Sequence, residues 1–307
     1  MVRPALLIPC YNAASFLPRL MENVRAQTVP FAEILCYDDG SADDTPAVAR
    51  SLGWRIIGGG ANRGVSHARN RLAEAVHDEW IHFHDADDLM SPSYIERLAS
   101  GCTAEHDVVS CDADWIDETT RTPVIQWRYD PGALAAAPHD YLLRHPMSLN
   151  NSIIRKSAWA RIGGCDESLS MWEDADVHIR LARSGARFHH VPEVLTLALR
   201  RRESFSHDYR RSWTCRLQAL EGYAAAPETA VRATLAGEAE KAAGALASLG
   251  DRPRATRAIA LCRRLGRSPP SSRNPLLRLL KPCLPAFTLL RWQERWRRRV
   301  SASRPAS

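Results

Sequence analysis

Apolar positions in the first part of the chain fall into short blocks separated by amphipathic stretches. Ala5–Ile8 is an uninterrupted apolar run of the kind a fully buried strand carries, and an amphipathic stretch from Ala14 to Arg25 follows it. The alternation then repeats. Ala32–Tyr37 predicts a second strand, and Ser41 or Asp43 caps a helix that Gly53 ends. Trp54–Ile57 predicts a third strand, Val65–Val76 a helix and Trp80–His84 a fourth strand. Ser91-Pro92 sets a cap and a first-turn proline before a helix over Ser93–Ser100. The rhythm predicts an α/β fold with a Rossmann-like, mostly parallel sheet flanked by helices. In such a sheet the ligand site lies at the C-terminal ends of the strands.

Residues 116–148 have weak periodicity and read as an excursion over one side of that site. Asn150–Arg155 predicts a further strand, and Trp172–Ser184 an amphipathic helix ended by Gly185. From Tyr209 onward the pattern is helical throughout, with Ala-rich segments at 214–225, 227–248 and 252–265. The shift near Ser206–Asp208 predicts a domain over 1–208 and an all-helical appendage over 209–307.

Composition changes the picture in two places. The eight cysteines are scattered without a C-x-x-C pair, so they read as reduced core residues rather than a disulfide framework or zinc site. Met1–Ile8 is too short for a signal peptide, and no window approaches the eighteen apolar residues of a membrane span. The expected location is therefore cytoplasmic. Charge is uneven: residues 251–307 carry 15 Lys+Arg against Asp251 and Glu294, a net of +13. The rest holds 26 basic and 33 acidic residues, a net of −7. The pI of 9.0 thus describes a basic tail on an acidic body, and no nucleic-acid partner is expected.

Candidate chemistry gathers at three predicted strand ends. The first strand leads into Pro9-Cys10-Tyr11-Asn12, the second into Asp38-Asp39-Gly40-Ser41, and the fourth into Asp85-Ala86-Asp87-Asp88. A parallel sheet would bring five carboxylates to one edge, which is costly without a cation. Either cluster alone reads equally as a helix cap or an acidic turn. Two at adjacent strand ends favour a metal. Asp85-x-Asp87 suits Mg²⁺ or Mn²⁺, hard ions that take one or two carboxylates and fill their shell with water and phosphate. Arg63 and Arg69 follow the third strand, where they could meet phosphate or simply be solvated. Gly58-Gly59-Gly60 lacks the later glycine of a dinucleotide fingerprint, since that position is Arg63.

Taken in order, these elements and Asn62-Arg63-Gly64-Val65-Ser66-His67-Ala68-Arg69-Asn70 resemble family 2 glycosyltransferases of GT-A fold. Ile162-Gly163-Gly164-Cys165-Asp166-Glu167, then Trp172-Glu173-Asp174-Ala175-Asp176 and Arg180-Leu181, continue the pattern, so the likeness spans about residues 4–206. The resemblance implies inverting, metal-dependent hexosyl transfer from a nucleoside-diphosphate sugar, a UDP-sugar foremost. The acceptor would be a hydroxyl of a glycan or a lipid-linked molecule in cell-envelope polysaccharide synthesis. It implies donor contacts from Pro9, Tyr11, Asn12, Asp39, Arg69, Asp85 and Ala86. It implies Mn²⁺ or Mg²⁺ at Asp87 and Asp85, and a catalytic base at Asp174, with Glu173 beside it. His84, Cys165 and the absence of a histidine in Leu199–Ser204 depart from the family pattern. An arginine of that stretch, or His207, would have to take over its diphosphate contact. The alternative is a catalytically silent sugar-nucleotide or glycan-binding subunit of the same fold.

Residues 274–300 interleave leucines, Phe287, Trp292 and Trp296 with arginines, and Pro282 and Pro285 divide them into two short helices. Such a segment suits peripheral contact with an anionic membrane surface. It equally suits a helix pair packed on the protein with a solvated basic end.

Overall fold

The first four apolar blocks become parallel strands β1 (Ala5–Cys10), β2 (Ile34–Asp38), β3 (Arg55–Gly58) and β4 (Trp80–Phe83). They form one half of a nine-stranded sheet in a computed structural model that describes residues 1–200, 208–271 and 280–302. Helices α1 (Leu17–Arg25), α2 (Thr45–Ser51) and α3 (Val65–Ala75) are the crossovers between them. Burial on both faces explains why β1 is apolar without alternation. Leu6 and Ile8 join Leu17, Leu20, Tyr94, Ile95 and Leu98 in one core layer. Each such aliphatic side chain contributes roughly 1.5–3 kcal/mol relative to exposure.

The second half is built from β5 (Leu89–Met90), β6 (Val108–Asp117), β7 (Pro123–Trp127), β8 (Ser152–Arg155) and β9 (Phe188–Arg200). The strand order is β3-β2-β1-β4-β8-β6-β9-β5, with β7 paired to β6. β8 runs antiparallel between β4 and β6, whereas β6 and β9 pair in parallel. The helices here are α4 (Tyr94–Ala99), α5 (Pro131–Ala136), α6 (Pro138–Arg144), α7 (Lys156–Arg161) and α8 (Glu173–Arg183). The fold is mixed α/β with a mostly parallel sheet flanked by helices, as predicted.

Local details differ from the sequence reading. The excursion expected over 116–148 is the β6–β7 hairpin followed by two short helices. Trp115 and Trp127 meet across the hairpin, with ring centroids 5.3 Å apart and planes tilted by 33°. β9 carries Pro192 inside a register shift against Cys111–Ala113, a bulge where a missing N–H breaks no ladder bond. Ser91 does not cap α4 with its hydroxyl; its carbonyl accepts the Tyr94 N–H at 2.9 Å and its Oγ pairs with Ser93 Oγ. Asp43 meets the start of α2 through the Thr45 N–H at 3.0 Å, and its second oxygen accepts the Ala14 N–H at 3.1 Å. It therefore ties two loops together.

The chain divides into two compact units, Met1–Ser204 and Phe205–Ser307. The second contains α9 (Tyr209–Tyr223), α10 (Arg232–Ser248), α11 (Arg252–Arg264) and α12 (Ala286–Ala302). α10 is its central helix, with Ala236, Ala239, Ala242, Ala243 and Ala247 all buried. Small residues on several sides let α9, α11 and α12 all pack against it. Glu238 is buried with Arg216 and Lys241 as its ion-pair partners. Pro282 and Pro285 precede α12, a helix of 17 residues. The predicted tail residues 274–279, and Arg201–His207, lie outside the described residues. No helix among the described residues is long and apolar enough to cross a membrane. All eight cysteines are free, and only Cys283 is exposed.

Candidate active site

The register aligns the ends of the parallel strands. Cys10 pairs with Asp38 and Asp38 with Gly58, while Phe83 lies opposite Leu7. The loops holding Pro9–Asn12 and Asp38–Ser41 therefore leave the sheet side by side. Asn12 takes a left-handed φ of 50°, an arrangement that asparagine tolerates better than most residues. Its N–H donates to Ser41 Oγ at 2.9 Å and its Oδ1 accepts the Ala42 N–H at 2.8 Å. Asp38 Oδ1 accepts the Ser41 N–H at 3.1 Å. Asp39 is buried, and its two oxygens accept the Arg63 N–H at 3.0 Å and the Gly64 N–H at 2.7 Å. The triple glycine belongs to this packing. A Cβ on Gly58 would lie 2.6 Å from the Asp38 carbonyl, and one on Gly40 would lie 2.4 Å from the Gly60 carbonyl. Tyr11 stands out from the cradle, 52% exposed.

The second part of the site forms where β4, α3 and α8 meet. Arg69, expected as a phosphate contact, is buried. Its Nη2 donates to Asp85 Oδ1 at 2.9 Å and its Nη1 to Glu173 Oε1 at 2.6 Å. Burial works against its charge, but Asp85 and Glu173 outweigh that and hold the guanidinium firmly protonated. Its Nε–H is buried without a hydrogen-bond partner. Asn150, which the sequence reading passed over, is a buried hub. Its Oδ1 accepts the Asp85 N–H at 3.1 Å, and its Nδ2 donates to Asp85 Oδ2 at 3.3 Å and to Asp88 Oδ2 at 2.5 Å. The other Asp88 oxygen accepts the Leu199 N–H at 2.9 Å, which joins this loop to β9. Ala86 is buried within the same turn, and Arg19 Nη2 donates to the Asp87 carbonyl at 2.7 Å.

α3 also anchors the loop that delivers α8. Asn70 bonds the Cys165 N–H at 2.8 Å and the Cys165 carbonyl at 3.0 Å. A side chain on Gly164 would reach 2.3 Å from Asn70 Oδ1, so the second glycine of the pair is a steric requirement. His67 meets Glu167 at 3.1 Å, and Ser66 Oγ donates to the Leu169 carbonyl at 3.1 Å. Arg180 bridges back from α8 to Asp176 and to the carbonyls of Ile162 and Gly164. Trp172 turns the chain into α8 with φ 72°, a strained value for a residue of its bulk.

Asp174 follows within the first turn of α8, its Oδ1 accepting the Ala175 N–H at 2.7 Å. Burial, then the like charge of Glu173, pushes its carboxyl up to about 7, against the pull of Arg69. The charge of Asp174 is in turn among the influences that raise Tyr129, after burial itself. Below the site, burial and His84 push His82 down to about 3, while burial pushes His84 and His178 down to about 4. All three are neutral at physiological pH. His178 spans from the Asp174 carbonyl, 2.8 Å from Nδ1, to Ser152 Oγ, 2.9 Å from Nε2. His84, a departure from the family pattern, is thus a core residue paired with His82 at 3.3 Å.

The five expected carboxylates do not share one job. Asp38 and Asp88 serve loop architecture, and Asp39 also holds the Arg63–Gly64 turn. Asp85 and Asp87 stand at the end of β4, the Asp85 oxygens meeting the side chains of Arg69 and Asn150. Among the described residues no three His, Cys, Asp or Glu side chains form a metal cage. Mg²⁺ and Mn²⁺ are usually held by one or two carboxylates together with substrate phosphates, so this pair fits the ion. The orphaned Arg69 Nε–H beside it fits an anionic ligand. Arg63 is 3.8 Å from Glu167 and largely exposed. Asn150 and His178 were not legible in the sequence because their partners Asp85 and Ser152 lie 65 and 26 positions away.

Comparison with known proteins gives this geometry a context. The succinoglycan biosynthesis protein ExoO of Rhizobium meliloti is 31% identical over 34% of this chain and 31% of its own length. The minor teichoic acid biosynthesis protein GgaA of Bacillus subtilis is 26% identical over 68% of this chain and 49% of its own. The matched stretch takes in about a third of the length of the first relatives. Among solved structures, the Pyrobaculum calidifontis mannosyltransferase PcManGT in complex with GDP-Man and Mn²⁺ superposes with a TM-score of 0.63 at 16% identity. That likeness covers 96% of this chain and 85% of the other. TarS residues 1–349 of S. aureus in complex with UDP-GlcNAc superposes with a TM-score of 0.56 at 16% identity, covering 86% and 89%. At such identities the likeness establishes the GT-A fold and nothing finer. Residues 5–165, more than half of the sequence, match the glycosyl transferase family 2 description, and the chain belongs to that family.

Proposed function

We propose that residues 1–208 form the catalytic domain of an inverting hexosyltransferase that uses a nucleoside-diphosphate sugar, UDP-linked in our reading. The observation that carries the proposal is the buried Arg69, which joins Asp85 of the D-x-D turn to Glu173 of the Glu-Asp pair. It ties the D-x-D turn to the start of α8, where Asp174 follows Glu173. Tyr11 offers an exposed ring for a nucleobase, with Pro9, Asn12 and the remaining lone pairs of Asp39 beside it. Ala86 leaves room for ribose at the D-x-D turn.

In this reading Asp87, with Asp85, holds Mn²⁺ or Mg²⁺, which when bound would neutralise charge on the diphosphate. Glu173 is committed to Arg69, so the base is Asp174. Its carboxylate takes the proton of the acceptor hydroxyl while that oxygen attacks the anomeric carbon. The bond from that carbon to the diphosphate breaks on the opposite face, and the nucleoside diphosphate leaves with the electron pair. Relatives concerned with succinoglycan and minor teichoic acid support an acceptor that is a glycan or lipid-linked hydroxyl of envelope polysaccharide synthesis. A lipid-linked acceptor would be met at a membrane surface.

The test is nucleoside-diphosphate release from a panel of UDP-, GDP- and dTDP-sugars with Mn²⁺, followed across pH. A carboxyl raised to about 7 is competent only when deprotonated, so kcat/KM should fall about tenfold per pH unit below about 7. Stability should move the opposite way. An acid whose folded pKa lies above its unfolded value near 4 favours folding when protonated, and that contribution fades as pH rises from about 4 to about 7. Donor binding with no release under any condition would replace the proposal with the silent binding subunit.

A further inference from the structure

α12 is surrounded differently along its length. Leu289 and Leu290 are fully buried, and α12 packs against α10, with Glu294 lying 3.2 Å from where a Cβ on Gly244 would be. Trp292 and Trp296, one turn apart and so on a common side of the helix, are 50% and 61% exposed. Arg295 between them is also exposed. Two of the largest apolar side chains of the chain therefore stand in water although the helix has a packed face available a few residues earlier. Exposed aromatic area beside cations is the signature of a contact surface rather than of a solvated helix.

We infer that this side of α12 docks onto an anionic lipid surface, with Trp292 and Trp296 at headgroup depth. Charge selects the occupant. Glu294 is the single acid between Ala286 and Ala302, against Arg291, Arg295 and the Arg297-Arg298-Arg299 run of the sequence. A second copy of the same cationic side would be repelled, whereas a negatively charged leaflet attracts it. Tryptophan prefers the boundary between headgroups and acyl chains, where its ring is buried and its N–H stays hydrated. The helix lies along the surface, because no described helix has the length and apolarity to cross a bilayer.

The inference is independent of the donor and the catalytic base, and its test uses no substrate. Full-length protein is co-sedimented with vesicles of phosphatidylcholine alone and of phosphatidylcholine mixed with an equal part of phosphatidylglycerol. Binding is expected only to the mixed vesicles, weakened by added salt. W292S/W296S should lower partitioning at least about tenfold, and R295Q roughly fivefold, the worth of one basic residue near an anionic surface. Unchanged circular dichroism and melting temperature would show that both variants fold. Equal sedimentation of wild type and W292S/W296S, or no difference between the two vesicle types, overturns the inference. A concentration-dependent dimer that W292S/W296S converts to monomer, without vesicle binding, would assign the face to a second copy instead.

Discussion

Asp39 and Asp85 follow the two strands that flank β1, yet they are held in different ways. Both oxygens of Asp39 accept main-chain N–H groups, from Arg63 and Gly64. The carboxylate of Asp85 is met by side chains, the Arg69 guanidinium and the Asn150 amide. A main-chain donor cannot leave without refolding its loop, so the first carboxylate is part of the scaffold. A side-chain donor can rotate, so the second can change partners when a cation or a phosphate arrives. Asp174, one residue from Glu173 and near the same guanidinium, is raised to about 7. Such poising is common where function, rather than stability, has shaped the charges.

The largest expected effect concerns Asp174. Asp174→Asn should leave donor affinity near that of the parent and lower turnover by roughly 10²–10⁴-fold, the usual worth of a positioned base. Turnover near the parent level would move the role to Glu173 or Asp176 and dissolve the contrast between the two regions. Next comes Arg69→Met, which leaves Asp85 and Glu173 facing each other without their cation. Breaking a buried pair of this kind costs about 3–5 kcal/mol, reduced here because Asp85 is partly exposed. Denaturant unfolding measures it, and the acid limb of kcat/KM should also move to higher pH, since Arg69 holds Asp174 down. A loss within the scatter of ordinary surface substitutions would show that the guanidinium is not the organising charge.

Asp87→Asn should keep the fold and weaken Mn²⁺-dependent donor binding by roughly 10–100-fold or more, the scale on which even indirect partners of a metal site act. Titration calorimetry with and without Mn²⁺ separates this from a general loss of affinity, and an unchanged metal response removes Asp87 from the site. The smallest effect is expected at Asp39→Asn. The amide oxygen can keep one of the two main-chain N–H groups, so stability should fall by about 1–3 kcal/mol. If donor affinity collapses while the melting temperature holds, Asp39 is foremost a ligand residue and the comparison with Asp85 is inverted.

Much of this protein is legible in one dimension. The strands β1 to β4 announce themselves as apolar runs, and α8 to α11 as helical periodicity, because each signal sits inside a window shorter than the element that carries it. The loops after β1, β2 and β4 are legible too, since parallel strands must deliver their C-terminal ends to one edge. Other parts are not. β6 and β9 carry Ser110, Asp112 and His190, which satisfy one another inside the sheet, with Ser110 Oγ and Asp112 Oδ1 at 2.9 and 3.0 Å from the His190 ring. In sequence those residues read as polar interruptions. Arg69 read as a phosphate contact or a solvated cation on a helix, not as a buried bridge between two carboxylates. Its partner Glu173 lies 104 positions away, and Asn150 lies 65 positions from Asp85. Local patterning therefore determined which segments are strands and helices and where the carboxylates emerge. Which of those carboxylates stay fixed, and which share a buried guanidinium, was decided only when the crossovers brought distant side chains within hydrogen-bonding distance, where burial strengthens every charge.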